Sequence, residues 1–185
     1  MAALLFTFLA VLAVGFGARD QLTLAAMTHR QGARPGLLLI AAASGLATVA
    51  LAAWASQIVA AALPAPARLL FAAIALGFAG LEMLVLRRAS QPLEPTHSLG
   101  ALALVLLAQQ LTDAARFVVL AIAVATLAPL TVGLGGGAAA LVLAAVGWLA
   151  ADSLADLNLV RPRRLLGGAL VLVAIWLALR ALGLA

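Results

Sequence analysis

Six apolar stretches, separated by short gaps rich in arginine or proline, divide the chain from end to end. They cover residues 2–27, 36–63, 69–86, 100–126, 131–155 and 165–182. An α-helix rises about 1.5 Å per residue, so about 20 apolar residues cross the roughly 30 Å hydrocarbon core of a bilayer. The pattern therefore predicts an all-α integral membrane protein with six transmembrane helices.

Two of these stretches carry polar residues near their middle. The first is interrupted by Arg19, Asp20 and Gln21, and the fourth by Gln109, Gln110, Thr112, Asp113 and Arg116. A charged side chain at the centre of a bilayer costs about 2.5 to 3.5 kcal/mol on insertion scales unless it is paired or faces water. We therefore expect these residues to have a role that offsets this cost.

The composition supports a membrane protein. Of the 185 residues, 66% are hydrophobic and only 9% are charged, which is too little charge to cover a soluble domain. All eleven basic residues are arginines that lie mostly in the gaps, so the net charge of +5 does not indicate nucleic-acid binding. The chain has no cysteine, which excludes disulfides and thiolate metal sites.

The arginines also predict the orientation of the chain. The gaps after the first, third and fifth stretches hold seven arginines, against Arg68 and Arg180 on the other side. The positive-inside rule then places these gaps in the cytoplasm and both termini outside it, with the inner (cell) membrane as the location. Residues 1–17 lack the basic start of a secretory signal, so we expect them to be retained as part of the first span.

The two halves of the chain resemble each other at a shift of about 94 to 96 residues, with Pro35 matching Pro129 and Trp54 matching Trp148. Each half holds three spans, an odd number, so the second half must be inverted relative to the first. Inverted repeats with matching polar breaks are typical of secondary transporters that bind substrate near the midplane. The predicted parts are two three-helix repeats and a cytoplasmic linker between them: residues 1–88, 100–185 and 89–99.

If the halves pack as an inverted pair, the two polar interruptions meet and form a candidate site. The residues predicted to bind an ion or a proton are Asp20, Gln21, Gln110, Thr112 and Asp113. Their oxygens suit a hard cation, with Asp20 and Asp113 as the metal ligands.

The two arginines of the interruptions, Arg19 and Arg116, would pair with charges or bind substrate. The alternative is a structural lock between the repeats, in which Asp20 pairs with Arg116 or Arg19 pairs with Asp113. The residues alone leave both interpretations open.

Four further acidic and imidazole side chains lie in or beside the polar gaps. Asp152 and Asp156 lie four residues apart near Arg161, which predicts a solvated helix end or, alternatively, an acidic vestibule. His29 and His97 lie in polar gaps and are expected to be solvated.

A further acidic residue within a span is Glu82, which we expect to pair with Arg87 and Arg88 at the membrane interface or to serve as an acid beside the site. Glycines within residues 133–137 predict close helix packing. No cluster combines a nucleophile, a base and metal ligands, so an enzyme is not predicted.

These residues carry a family resemblance. The chain resembles the two-repeat family of Golgi-type manganese/calcium–proton antiporters and their bacterial relatives, within the lysine-exporter superfamily. The signature of that family is Glu, any residue, Gly, Asp, Lys or Arg, then Thr or Ser, usually followed by Gln. Gly17, Arg19 and Gln21 fit it in the first repeat, and Asp113 fits in the second, where Gln110 replaces the acid. The resemblance implies exchange of Mn²⁺ or Ca²⁺ for protons without a cofactor, with Asp113 as a cation ligand and Gln110 as a weakened one.

Three of the four acids of the family signature are missing, which changes the expected electrostatics. Arg19 and Asp20 sum to zero, and so do Asp113 and Arg116. A neutral site should bind a divalent cation poorly. We therefore keep three hypotheses: a cation–proton antiporter, a non-transporting or regulatory subunit that pairs with an intact paralogue, and an exporter of small amino acids in which Arg19 or Arg116 holds the carboxylate. The partner expected for the chain is a second copy in a homodimer or a paralogue in a heterodimer.

Overall fold

A computed structural model of the protein describes residues 1–85 and 97–184, apart from the side chains of residues 155 and 156. All regular secondary structure in this part of the chain is helical, which confirms the predicted all-α class. In chain order the helices are α1 (Ala2–Gly15), α2 (Arg19–Gln31), α3 (Pro35–Ala62), α4 (Ala65–Val85), α5 (Leu99–Leu111), α6 (Ala114–Thr126), α7 (Pro129–Leu149), α8 (Ala151–Asp156) and α9 (Val160–Ala181).

Four helices of the described residues, α3, α4, α7 and α9, are each long and apolar enough to cross a membrane. The pair α1 and α2 is bent by 62° and the pair α5 and α6 by 52°, and counting each pair as one broken span gives six. These lengths and compositions indicate a membrane protein. The continuous helices expected over residues 2–27 and 100–126 are wrong, because each stretch is two shorter helices that meet at its polar interruption.

The first break forms at a glycine. Gly17 has a φ of +70°, a left-handed conformation that side chains with a Cβ rarely adopt. A Cβ at this position would also collide with the side chain of Leu159, in the turn before α9. The chain therefore turns at Gly17 and restarts as α2 at Arg19.

The second break forms at an aspartate. Asp113 is the N-cap of α6, and its Oδ2 accepts a hydrogen bond of 3.2 Å from the backbone N–H of Ala115. Aspartate is among the preferred N-cap residues because its carboxylate satisfies a backbone donor that the helix leaves free. The polar residues that interrupt the apolar pattern are thus the residues that end one half-helix and start the next.

Helices of the first half pack on helices of the second. The long helix α3 lies against α7, and α4 lies against α9. The half-helix α1 packs on α7, while its counterpart α5 packs on α3. The helix α6 packs on both α3 and α4. The two halves therefore share one packed unit, and the polar breaks lie inside it.

Glycines allow two of these helix pairs to approach each other closely, as the sequence predicted for residues 133–137. A Cβ at Gly135 in α7 would collide with the carbonyl oxygen of Leu4 in α1. A Cβ at Gly167 in α9 would lie 2.9 Å from the carbonyl oxygen of Gly80 in α4. Small residues are the usual means of bringing membrane helices together.

Part of the predicted cytoplasmic linker, residues 89–96, lies outside the described residues, as do Arg87 and Arg88. The interfacial pairing predicted between these arginines and Glu82 therefore also lies outside the described residues.

Candidate functional site

Side chains of the two helix breaks contact each other. Arg19 Nη2 donates a hydrogen bond of 3.0 Å to Thr112 Oγ1, and Gln110 Nε2 donates one of 3.1 Å to Asp20 Oδ2. Each bond joins the N-terminus of α2 to the end of α5. Four of the seven predicted site residues are therefore brought together in two pairs.

A row of hydrogen bonds extends from Asp20 into the interior through Gln110. The hydroxyl of Thr48, on α3, lies 3.3 Å from Gln110 Oε1 and accepts a hydrogen bond of 2.9 Å from Arg116 Nε. Gln110 is 3% exposed and Arg116 is 6% exposed. The row Asp20, Gln110, Thr48 and Arg116 therefore links α2, α5, α3 and α6 through one half-buried and three buried polar side chains.

Gln21 fixes the first break rather than facing the second. Its Oε1 accepts a hydrogen bond of 2.7 Å from the backbone N–H of Gly17, and its Nε2 donates one of 3.0 Å to the carbonyl oxygen of Leu143 in α7. The amide thus satisfies a backbone donor of the break and ties α2 to α7. The amide oxygen that was expected to bind an ion thus already accepts a hydrogen bond within the protein.

Asp113 is 2% exposed and lies at the second break, where its backbone N–H donates a hydrogen bond of 3.2 Å to the carbonyl oxygen of Gln110. Its Oδ2 is 4.0 Å from Arg116 Nη1, while its Oδ1 is buried and has no hydrogen-bond partner. The structural lock predicted from Asp20 with Arg116, or Arg19 with Asp113, is wrong. Arg116 instead pairs within its own repeat, because residues three apart lie on the same face at the start of α6.

Glu82 joins the site from α4. Its side chain is 5% exposed and turned into the protein, which agrees with the alternative of an acid beside the site. Its Oε2 accepts a hydrogen bond of 3.2 Å from Arg163 Nη2, and its Oε1 lies 3.6 Å from Arg19 Nε. Glu82 therefore belongs to the charged centre beside the first break.

Sequence reasoning missed Thr48 and Arg163. Thr48 is a hydroxyl residue in an otherwise apolar span, which is a weak signal of a polar contact. Arg163 stands between Arg161 and Arg164, and nothing in the sequence separates it from those two arginines. In the structure it is 15% exposed, whereas Arg161 and Arg164 are exposed.

A cavity of about 20 Å³ lies beside the row of hydrogen bonds. Its polar lining comes from four residues of α2, α5 and α6, and its apolar lining includes Gly45 of α3. A water molecule needs about 10 to 15 Å³ measured in this way, so the cavity suits one water or a bare ion of similar size. The polar lining residues are Asp20, Gln21, Gln110 and Arg116.

The buried and half-buried charges around the two breaks balance. The three negative charges are those of Asp20, Glu82 and Asp113, and the three positive charges are those of Arg19, Arg116 and Arg163. Within residues 1–85 and 97–184, no three His, Asp or Glu side chains converge as a metal site would require. Asp20 and Asp113, the predicted metal ligands, each have different partners.

His29 and Asp152, which lie away from the breaks, are at the surface. The imidazole of His29, at the end of α2, contacts the carboxylate of Asp152 in α8, and both side chains are more than half exposed. This agrees with the solvated positions expected for His29 and for the start of the acidic pair. The predicted role of the Asp156 side chain lies outside the described residues.

Comparison with known proteins adds no relative: no protein-family model, no curated protein and no solved structure matches the chain.

Proposed function

We propose that the protein is a secondary transporter of the cation–proton exchange type, with its substrate site at the two helix breaks. The observation that carries this proposal is that both broken spans meet through side chains at their breaks, in the pairs Arg19 with Thr112 and Gln110 with Asp20. Transporters commonly build midplane sites from discontinuous helices, because half-helix ends supply free backbone groups and partial charges. A purely structural membrane bundle has no such need for two breaks.

The element order and packing support an inverted repeat as the architecture of this transporter. Each half contains a broken span followed by a long helix that opens with proline, Pro35 in α3 and Pro129 in α7. The packing of α1 on α7 is matched by that of α5 on α3, as a two-fold relation between the halves requires. Six spans would put both termini on one side of the membrane, and because the arginine-rich gaps lie on the other side, we place the termini outside the cytoplasm and the protein in the inner membrane.

Asp20 is the carboxylate that we assign to the exchanged ion. It lines the cavity and forms no ion pair among the described residues, whereas Asp113 and Glu82 each lie within 4.0 Å of a guanidinium group. Carboxylate and amide oxygens suit hard cations, so Mn²⁺ and Ca²⁺ are the first candidates. The balanced charges predict that either ion binds weakly.

A second candidate is a membrane subunit that does not transport alone and acts as a homodimer or beside an intact paralogue. The observation that favours it is that Asp113 and Glu82 already have guanidinium partners within the chain. An amino-acid exporter has less support. The cavity of about 20 Å³ is too small for an amino acid, and Arg19 and Arg116 are both bonded to threonines.

The test is ion flux in liposomes that contain the purified protein and a pH-sensitive dye, with Mn²⁺ or Ca²⁺ added outside. We expect cation-driven proton movement in the wild type, its loss in Asp20→Asn, and wild-type rates in Asp152→Asn, whose side chain is 85% exposed. Absence of proton movement with every cation would refute the antiporter for the isolated chain. Recovery on adding a paralogue would then support the subunit.

A further inference from the structure

Arg163 reaches from the start of α9 to three oxygen atoms at the first helix break. Its Nη1 donates hydrogen bonds to the carbonyl oxygens of Val14, at 2.9 Å, and Phe16, at 3.1 Å. Its Nη2 donates one of 3.2 Å to Glu82 Oε2. The guanidinium group is therefore surrounded by two carbonyl oxygens from the end of α1 and one carboxylate from α4.

These three oxygens make up a typical set of cation ligands. The last carbonyls of a helix have no partner within it, and the helix end carries a partial negative charge. In broken membrane helices, carbonyls at half-helix ends are the groups that coordinate Na⁺ in transporters. A neighbouring carboxylate completes such a site, and here Glu82 supplies it with a side chain that is 5% exposed.

At the second break a hydroxyl, not a guanidinium group, lies against the carbonyls of the half-helix end. At the end of α5 the hydroxyl of Thr112 lies 3.4 Å from the carbonyl oxygen of Ala108 and 3.3 Å from that of Gln109. At this break the group that meets the carbonyls is therefore a hydroxyl of the break itself, which donates one hydrogen and accepts a hydrogen bond from Arg19 Nη2. At the first break a cationic side chain is brought from about 150 residues away along the sequence instead, which indicates that the charge has a role.

We propose that the carbonyl oxygens of Val14 and Phe16 and the carboxylate of Glu82 form a binding site for a monovalent cation, which the Arg163 guanidinium occupies as a tethered substitute. The site fits a single positive charge because Glu82 is shared with Arg19, whose Nε lies 3.6 Å from Oε1. A divalent ion would leave an excess of two positive charges in a buried place. With Arg163 present, the protein needs no free cation at this point.

The proposal is tested by the thermal unfolding of detergent-purified variants in chloride salts of choline, Na⁺, K⁺ and guanidinium, at equal ionic strength and non-denaturing concentration. We expect Arg163→Ala to unfold at a lower temperature than the wild type in choline and to recover, saturably, with at least one of the small cations. At ten times the dissociation constant, the recovery should be about 3 to 6 °C. The matched control is Arg164→Ala, which removes an exposed arginine one position away and should unfold at the same temperature in every salt.

Two further variants keep the outcome decisive. Arg163→Gln retains an N–H donor for the carbonyls but loses the charge, so it should fold more readily than the alanine variant and still respond to the cations. Adding Glu82→Gln to either variant should abolish the response, because the carboxylate is gone. Equal unfolding temperatures in choline and in all three cations for both single variants would overturn the proposal. The readout is stability, so the result does not depend on whether the protein transports.

Discussion

A single methyl group placed in the cavity should separate stability from transport. Gly45, on α3, lines the cavity between the two breaks. A Cβ at this position would lie 3.4 Å from Ala140 Cβ, 3.7 Å from Arg116 Nη2 and 3.9 Å from Gln110 Nε2. All three distances are ordinary van der Waals contacts, so Gly45→Ala should be accommodated without moving its neighbours.

The expected magnitudes have opposite signs for folding and for function. Alanine is favoured over glycine inside a helix by about 0.5 to 1 kcal/mol, so the unfolding temperature of Gly45→Ala should stay the same or rise by up to about 4 °C. The cavity of about 20 Å³ is only slightly larger than one water requires. A methyl group on its wall should therefore exclude water and ions and reduce cation-driven proton flux at least tenfold.

The assay pairs thermal unfolding in detergent with flux in liposomes for Gly45→Ala and a matched control. The control is Gly77→Ala in α4, where the added Cβ would meet only Ala174 Cβ at 3.8 Å and does not line the cavity. Wild-type flux in a stably folded Gly45→Ala would refute the placement of the ion path through this cavity. If Gly45→Ala unfolded at a lower temperature than the wild type, the expectation that the added methyl group fits without moving its neighbours would be refuted instead.

Two further predictions concern packing and the polar row. Gly167→Ala should unfold at a temperature about 2 to 12 °C lower than Gly168→Ala. The reason is that a Cβ at Gly167 would lie 2.9 Å from a backbone oxygen of α4, whereas Gly168 faces open space. Similar unfolding temperatures for the two variants would contradict the close approach of α4 and α9. Thr48→Val should cost about 1 to 3 kcal/mol of unfolding free energy, because it leaves the buried Nε of Arg116 without an acceptor. Thr126→Val, which removes a hydroxyl bonded only within its own helix, is the control; equal losses in chemical unfolding of the two variants would count against the row.

The positions of the helices could be predicted from the sequence, but the bends could not. Apolar runs locate membrane-crossing helices because each backbone polar group must be satisfied inside the bilayer, which favours helix wherever the side chains are apolar. The polar residues at 19–21 and 109–116 show where this pattern is weakest. Whether such residues lie on a continuous helix or end it depends on local features such as the positive φ of Gly17 and the N-cap formed by Asp113. These features determine the bend only in the packed protein, where neighbouring helices contact the break.

Pairing across the breaks could be predicted only in outline. The correspondence of the two halves indicates that residues of the first break face those of the second. The sequence does not fix the rotation of each half-helix, which decides that Asp20 meets Gln110 rather than Arg116. It also gives no reason to single out Thr48, since a threonine in an apolar helix commonly bonds a carbonyl of its own helix, as Thr126 does.

Arg163 shows how a topology signal and a buried contact can coincide in one residue. Counted with the other gap arginines, Arg163 supports the prediction that the gap before α9 lies in the cytoplasm. Its guanidinium group, however, is hydrogen-bonded to Val14, Phe16 and Glu82, and these bonds do not depend on the orientation of the protein in the membrane. If Arg163 is left out of the count, the gaps still hold six arginines against two on the opposite side, so the positive-inside rule predicts the same orientation. Substituting Arg163 should therefore alter the first break and leave the direction of insertion unchanged.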